Sequence, residues 1–351
     1  MTRRTALAIG STLVGVSLAT AIVAWAGVSE SLAALDRIGL FGCAQYAAVC
    51  ALVLFVQGLG WWILLRAEGA RAGPLLVAEA MLMGHALGYI TPSAYLGGEP
   101  IRAWFVAREL GIPVRRAFAS VLLHKFQELS GFLVFVLIGT WVVVAAYRES
   151  FAPWITVSLV AFALAATAFF CVFLWSFARR RALLSGLFAG LARRRGNERW
   201  ARVHIVCRDV EDHVHAALTA RLPSTLVAHA LTASTLGLVF LKPAILLALA
   251  GSPPFGFAEM SVFFVTTQVL MAFQPTPGGL GVNEGGFVGV YSLLGVRPPE
   301  ALAFMAVVRL TDALLVGAGL LLVARLGWRS VAEAMGAGGA TLPTAPDRSV
   351  E

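Results

Sequence analysis

Long apolar runs alternate with short polar segments along most of the chain. Six of these runs are long enough to cross a lipid bilayer, because a crossing helix needs about 20 predominantly apolar residues. A transmembrane barrel would instead show alternating segments of about 10 residues, and the sequence has no such series. The pattern therefore predicts an all-α polytopic membrane protein with about six transmembrane helices. The predicted crossings are 5–28, 40–65, 117–147, 154–177, 222–250 and 298–325.

Two further apolar regions are interrupted by turn-forming residues before they reach the length of a crossing. The first, 74–112, has an apolar arm to residue 90, a tip with proline and glycine, and a polar return arm. The second, 255–295, carries the run Pro-Thr-Pro-Gly-Gly-Leu-Gly between two apolar arms. Irregular backbone is tolerated at membrane depth only where protein or a watery cavity covers it. We therefore predict two re-entrant helical hairpins, which pack against each other.

The two hairpin regions resemble one another in sequence. Each has a Thr-Pro pair, an acidic residue at the tip, a Leu-Gly-aliphatic turn and then a helix with a base and an acid three residues apart. The charged matches carry the comparison, because charges are rare in this chain and expensive in lipid. They are Glu99 with Glu284, at an offset of 185 residues, and Lys125 with Arg309 and Glu128 with Asp312, at an offset of 184.

Counting crossings between the two hairpins places them on opposite sides of the membrane, so the sequence predicts an inverted-topology repeat. Transporters built in this way bind substrate near the midplane, at paired broken segments. The predicted organisation is an N-terminal transmembrane helix and loop, 1–39; a first repeat, 40–150; a transmembrane helix and basic cytoplasmic loop, 151–221; a second repeat, 222–326; and a disordered tail, 327–351, rich in glycine, proline, alanine and threonine.

Composition supports a membrane protein and excludes several other classes. The chain is 59% hydrophobic and only 13% charged, against roughly 25% charged residues in soluble domains. The net charge of +8 fits basic cytoplasmic loops better than a nucleic-acid surface. We expect a multi-pass protein of the bacterial inner membrane with both termini in the cytoplasm. Trp61 and Trp62, near the end of the second crossing, are expected at the membrane interface.

No cofactor or metal is expected from the motifs. The four cysteines lack metal spacing, and the glycine-rich tip is not followed by the Gly-Lys-Ser/Thr of a nucleotide-binding loop. Three histidines occur near acidic residues between 204 and 215, where a solvated helix face is favoured over a metal site because the run is charged throughout.

Charged residues and glycines within the apolar segments are the candidate substrate-binding residues, since intramembrane charges mark functional sites. Alternatives remain open for each group: tip carboxylates cap the half-helices, acid–base pairs lower the cost of burial, and Arg102 extends to the interface. His85 and His124 are expected to be core histidines. The candidates are Glu99, Arg102, Lys125, Glu128, Lys242, Glu284, Arg309 and Asp312, with Gly98, Gly278, Gly279 and Gly281 at the tips.

These motifs resemble those of a known family. The run Pro-Gly-Gly-Leu-Gly at 277–281, with Glu284 and Arg309, is similar to a motif of the flippase-like membrane family that includes the transmembrane half of lysylphosphatidylglycerol synthases. Gly98 and Glu99, followed by Arg102, resemble that family's other motif. Hopanoid-associated and archaeal glycosylation-associated membrane proteins are similar as well. The resemblance implies movement of an amphipathic lipid, or a lipid-linked sugar, between leaflets. The synthases carry a soluble aminoacyl-transferase domain after the membrane part; we do not expect that activity from the tail at 327–351.

Three functional hypotheses follow. The first is a lipid transporter, not an enzyme, whose midplane cavity admits a charged or phosphate headgroup. The second is an intramembrane lipid-modifying enzyme with carboxylates and histidines as acid and base; product formation by purified protein would favour it. The third is a non-catalytic subunit of a lipid-modifying complex, which would keep its function after the paired charges are neutralised. The expected partner is a membrane lipid, not nucleic acid. The sequence leaves open a homo-oligomer and a partner from lipid biosynthesis.

Overall fold

Regular secondary structure is entirely helical within the residues that the computed structural model describes, which are 3–91, 97–147, 149, 153–179, 183–195, 198–272 and 276–327. A single 3-10 turn, Pro277–Gly279, joins two of the helices. The helices are α1 (Arg3–Ala26), α2 (Val28–Ala67), α3 (Pro74–Ile90), α4 (Glu99–Leu110), α5 (Val114–Tyr147), α6 (Pro153–Ala178), α7 (Leu183–Arg195), α8 (Glu198–Thr219), α9 (Leu222–Leu249), α10 (Phe257–Ala272), α11 (Val282–Leu293) and α12 (Pro298–Arg325).

Four of these helices, α2, α5, α9 and α12, are long and apolar enough to cross a membrane. The prediction of an all-α polytopic membrane protein is thereby confirmed. The apolar stretches found in α1 and α6 are shorter, Gly15–Ala26 and Thr156–Val172. Crossings by these two helices, and the total of six, stay predictions. Residues 328–351 of the predicted disordered tail and the outermost residues of both hairpin tips, 92–96 and 273–275, lie outside the described residues.

The segment predicted as a loop before the second crossing is helical instead. Helix α2 begins at Val28, and its helical backbone is interrupted only at Gly39, which has φ 66° and ψ 174°. Ser31, Ala34 and Ile38 are buried. Their spacing of three and four residues places them on one helix face. The segment therefore gains apolar burial by continuing as a helix, and the change of direction is confined to a single glycine.

Each predicted hairpin region contains two short helices. Helices α3 and α4 have 17 and 12 residues, and α10 and α11 have 16 and 12, all below the roughly 20 residues of a crossing. Helix α4 packs on α3, and α11 packs on α10. Gly111 and Gly295 follow the second helix of each pair with φ of 61° and 85°, a conformation that glycine adopts without strain. Both glycines thus turn the chain into a long helix.

The two halves of the chain are intertwined. Helix α12, which follows the second hairpin region, packs against α2 and α3 of the first half. Helix α5, which follows the first hairpin region, packs against α9 and α10 of the second half. Helices α2 and α9 pack against each other at the centre. Helix α12 therefore contacts a short helix of the first half, α3, and α5 contacts a short helix of the second half, α10.

Ion pairs at the helix ends fix the relative directions of the long helices. Glu68, at the end of α2, has a side chain that is only 3% exposed; one carboxylate oxygen lies 3.2 Å from Arg221 and the other 3.9 Å from Arg116, near the starts of α9 and α5. Near the other end of α2, Arg37 lies 3.2 Å from Glu300, in the first turn of α12. Helices α5 and α12 therefore start at opposite ends of α2 and run in opposite directions.

Candidate functional site

The first group of charged side chains joins the start of α4 to the middle of α5. Lys125 lies between two carboxylates: its Nζ is 2.9 Å from Glu128 Oε2 and 3.5 Å from Glu99 Oε1. The pair on α5 forms because residues three apart share a helix face. The contact with Glu99 extends that pair to the hairpin. The structure thus brings three of the predicted site residues into one triad.

Arg102 joins this group from the next turn of α4. It is only 5% exposed, its guanidinium carbon lies 4.5 Å from the ring centroid of Trp61, and its terminal NH2 nitrogen is 3.0 Å from His124 Nδ1. A side chain on Gly84 of α3 would collide with the aliphatic part of Arg102. Arg102 therefore lies inside the protein, stacked on an aromatic ring, and does not extend to the membrane interface.

His124 links Arg102 to the triad. Its Nε2 is 3.1 Å from the carbonyl oxygen of Gln57, which only accepts hydrogen bonds, so Nε2 carries a proton. Its Nδ1 is 3.0 Å from Arg102 and 3.3 Å from Glu128 Oε1. A bare Nδ1 accepts from the guanidinium, whereas a protonated Nδ1 donates to the carboxylate. We refer to Glu99, Arg102, His124, Lys125 and Glu128 as the first cluster.

Arg309 organises the second group of charged side chains. Its Nε and NH2 both lie 2.7 Å from Glu284 Oε1, and its NH1 donates to the carbonyl of Gly278 at 2.6 Å. The other Glu284 oxygen accepts from the backbone N–H of Gly281 at 2.6 Å. Glu284 therefore caps the start of α11, as one of the alternatives from the sequence has it, and holds the guanidinium of Arg309 with the same carboxylate. NH1 also donates to the hydroxyl of Tyr89, on α3, at 2.5 Å.

The tip glycines supply carbonyl oxygens to Arg309. Gly278, Gly279 and Gly281 have φ of 60°, 65° and 79°, in the left-handed region that favours glycine. The carbonyl of Gly279 lies 3.4 Å from the NH2 of Arg309, in addition to the contact of Gly278. A non-glycine residue at these positions would strain the tip. The first tip uses its glycine differently, since Gly98 lies so close to Gly84 that their backbones touch.

Asp312 and Lys242 lie beside this group but are not tightly paired. Asp312 lies beside the Tyr89 hydroxyl, and Lys242 lies 6.0 Å from the ring centroid of Tyr46. In the part of the chain that the structure describes, neither has an oppositely charged atom within 4 Å, because Arg309 is directed to Glu284 instead. We refer to Tyr89, Lys242, Glu284, Arg309 and Asp312 as the second cluster.

Comparison with known proteins places this architecture in a family. Residues 12–319, which include both clusters, match the family described as the lysylphosphatidylglycerol synthase TM region. The chain belongs to this family. Two UPF0104 membrane proteins of Methanothermobacter thermautotrophicus are similar: one is 24% identical over 76% of this chain and 80% of its own length, the other 28% identical over 82% and 84%. No solved structure matches the chain. Membership in this synthase-TM family fits a role connected with membrane lipids.

Two residues of the clusters, His124 and Tyr89, and the neighbouring Trp61 were not among the site residues predicted from the sequence. Trp61, expected at the interface, is fully buried under Arg102, because it lies on the face of α2 that meets α5. His124, expected to be a core histidine, is buried but contacts two charged groups. Tyr89 was not singled out. A hydroxyl two residues before the Thr-Pro of the first tip was the available signal for it.

Replacing Tyr89 by phenylalanine is expected to destabilise the protein by about 1.5–3 kcal/mol, the usual worth of hydrogen bonds to charged groups. The hydroxyl accepts from Arg309 and lies beside Asp312, so its loss affects two charged side chains. Thermal unfolding in detergent measures the change. Tyr291→Phe is the matched control, because that ring is buried among Phe263 and Phe304 and should depend mainly on packing. Equal effects of the two changes would contradict the role given to the Tyr89 hydroxyl.

Proposed function

We propose that this protein moves an amphipathic lipid between leaflets, with the charged headgroup passing the two clusters while the acyl chains stay in the bilayer. The observation that carries the proposal is a contact repeated in both halves. The base on the long helix reaches the acid at the start of the short helix before it: Lys125 to Glu99 at 3.5 Å, and Arg309 to Glu284 at 2.7 Å. Paired intramembrane charges at broken helices are typical of transporter substrate sites.

An inverted-topology repeat is part of the proposal. It is supported by the opposite directions of α5 and α12 and by the reciprocal packing of α12 on α3 and of α5 on α10. The end contacts support it as well. Arg37 and Arg221 are 184 residues apart, as are Arg116 and Glu300. In each of these pairs, one residue lies near one end of α2 and the other residue lies near the opposite end.

The two short-helix pairs are proposed to be re-entrant hairpins that enter from opposite sides. Their lengths support this, and so does the contact of Tyr89, at the end of α3, with Arg309 and the backbone beside Gly278. The end of the first apolar arm therefore meets the second tip inside the protein. We further propose the bacterial inner membrane as the location, with both termini in the cytoplasm, because that orientation places the basic segments on the cytoplasmic side.

Transport is proposed in preference to enzymatic modification. His124, the most buried candidate base, contacts Arg102 and Glu128 and not a hydroxyl or thiol nucleophile. The lipid is proposed to carry a charged or phosphate headgroup, since both clusters present cationic nitrogen atoms beside carboxylates. Within the two clusters, Arg102 and Lys242 are the cations that have no carboxylate within 4 Å among the described side chains, and they are the proposed phosphate contacts.

Reconstitution tests the proposal directly. Purified protein is placed in vesicles that contain fluorescent lipids, and the fraction of label that becomes accessible to a membrane-impermeant quencher is followed with time. We expect faster movement than in empty vesicles, and strongly reduced movement for Glu284→Ala. Arg108→Ala, an exposed change at the end of α4, is the control. Movement that the Glu284 change leaves untouched would refute the proposed site, and a modified lipid product would favour an enzyme.

A further inference from the structure

Asp312 and Glu128 occupy equivalent positions in the two halves but have different surroundings. Glu128 has Lys125 at 2.9 Å and His124 at 3.3 Å. Asp312 has no cationic nitrogen within 4 Å among the described side chains, because Arg309, the counterpart of Lys125, is bonded to Glu284. A carboxylate inside a membrane protein is stable when a cation or a proton neutralises it. Glu128 is neutralised by close partners, whereas Asp312 is not.

The groups around Asp312 are neutral polar side chains, cations more than 4 Å away and one further carboxylate. The Tyr89 hydroxyl lies beside it, and His85 lies one turn earlier on α3, with its ring 6.3 Å from that of Tyr89. A polar line therefore leads from Asp312 along α3. The titratable and charged groups are His85 and Tyr89 from α3, Lys242 from α9, Tyr46 from α2, Glu284 from α11 and Arg309 from α12 itself.

The charge of the second cluster depends on whether Asp312 carries a proton. With Asp312 ionised, two carboxylates and two cations balance: Asp312 and Glu284 against Lys242 and Arg309. With Asp312 protonated, the cluster has a charge of +1. An excess charge away from water is costly, and a single negative charge on an incoming headgroup removes it. Binding of a proton therefore favours binding of a monoanionic phosphate group, and the loaded cluster is neutral again.

A proton fits this position better than a metal ion. Among the residues that the structure describes, no three His, Cys, Asp or Glu side chains come together as ligands. Hard cations need about six oxygen ligands, whereas the second cluster presents two nitrogen cations. A proton needs one carboxylate oxygen, which Asp312 provides, and the polar Tyr89 hydroxyl lies beside it.

We propose that Asp312 is a proton-binding site and that the second cluster takes up one proton together with one anionic headgroup. This inference rests on the lipid transport proposed above. An O–H bond forms on the carboxylate when the cluster faces one side of the membrane and breaks when it faces the other. The proton is released to water there, and no other reactant is consumed.

Proton binding is tested first without any lipid movement. Infrared difference spectra of the protein in detergent are recorded while the pH is lowered, and the band of protonated carboxyl groups is compared between variants. We expect Asp312→Asn to remove a component of that band. Glu128→Gln is the matched comparison, because Glu128 has the ammonium of Lys125 at 2.9 Å as a close partner; this change should leave that component in place. If the band of protonated carboxyl groups is the same in Asp312→Asn as in the wild type, the proposal is overturned, whether or not the protein transports lipid.

Coupling is tested in phosphatidylcholine vesicles that contain labelled phosphatidylglycerol, with a pH-sensitive dye inside. One proton per lipid lets a gradient of one pH unit drive an accumulation ratio of at most about tenfold. We expect labelled phosphatidylglycerol to accumulate on the alkaline side together with protons, and both effects to be lost in Asp312→Asn. The distribution of labelled phosphatidylcholine between the two leaflets should not depend on the pH gradient.

The outcomes separate the two claims. If the wild type moves labelled phosphatidylglycerol equally with and without a pH gradient, lipid transport stands and the proton site is refuted. If the wild type moves no labelled lipid beyond the rate of empty vesicles, the proposed function fails and the coupling fails with it. Asp36→Asn, an exposed acidic position near the start of α2, should leave both accumulation and proton movement as in the wild type.

Discussion

Arg309→Ala is expected to destabilise the protein by roughly 3 kcal/mol and to abolish lipid movement. Removing one partner of a largely buried ion pair leaves the other charge uncompensated, which costs about 3–5 kcal/mol. The lower end applies here, because the Arg309 side chain is 20% exposed and the Glu284 side chain 9%. The change also removes the donors to the Gly278 carbonyl and the Tyr89 hydroxyl. Thermal unfolding in detergent and the vesicle assay measure the two effects.

A double-mutant cycle distinguishes loss of this pair from general damage to α12. Glu284→Ala alone should be severe as well, since it leaves Arg309 unpaired and α11 without its cap. The double change should cost clearly less than the sum of the single changes, because neither charge is then left alone. Arg325→Ala, exposed at the end of the same helix, should stay within about 0.5 kcal/mol. Additive single effects would contradict the pairing.

Local signals predicted the elements that carry the site. Glycine and proline act on the backbone of their own segment, so the two interrupted regions were recognisable, and the short helices α3, α4, α10 and α11 lie within them. The contact between Lys125 and Glu128 was likewise predictable, because residues three apart on a helix are neighbours whatever surrounds them. The family resemblance rested on the same local motifs and was confirmed over residues 12–319.

Contacts that depend on tertiary packing were beyond the sequence. Tyr89 and Arg309 are 220 residues apart and meet only because α3 packs on α12. The spacing of Arg309 and Asp312 allowed an ion pair like that of Lys125 and Glu128 in the first half. In the structure, the guanidinium of Arg309 pairs with the carboxylate of Glu284 at the tip instead. The burial of Trp61 depended on which face of α2 meets α5. The position of a tryptophan near a helix end is compatible both with a ring at the membrane interface and with a buried ring, so the sequence could not decide between them.

The two halves therefore share a plan but not a chemistry. In the first cluster the acid of the long helix is held by Lys125 and His124, and an extra guanidinium, Arg102, lies on Trp61. In the second cluster the acid of the long helix, Asp312, lies beside the Tyr89 hydroxyl, and the extra cation, Lys242, comes from α9. Such an asymmetry fits the proposed proton site, in which one half responds to a proton while the other keeps a fixed charge pattern.

Among glycine-to-alanine substitutions in the first half, Gly98→Ala is expected to destabilise the protein most. The added Cβ would overlap the carbonyl group of Gly84, and both colliding groups belong to backbones that cannot rotate away. Overpacking costs about 1–3 kcal/mol and occasionally more, so we expect about 3 kcal/mol. Helix α4 would be displaced from α3 and would carry Glu99 and Arg102 away from Lys125 and His124. Lipid movement should fall with stability.

Two other glycines show whether the crossing of α3 and α4 is responsible. Gly84→Ala places its Cβ mainly against the flexible side chain of Arg102, so it should cost less than Gly98→Ala while still impairing lipid movement. Gly237→Ala, in α9, meets nothing within 4 Å, and alanine is favoured over glycine in a helix by about 1 kcal/mol. It should be neutral or stabilising. If Gly98→Ala behaved like Gly237→Ala, the close approach of the two helices would not be what holds Glu99 and Arg102 in the first cluster.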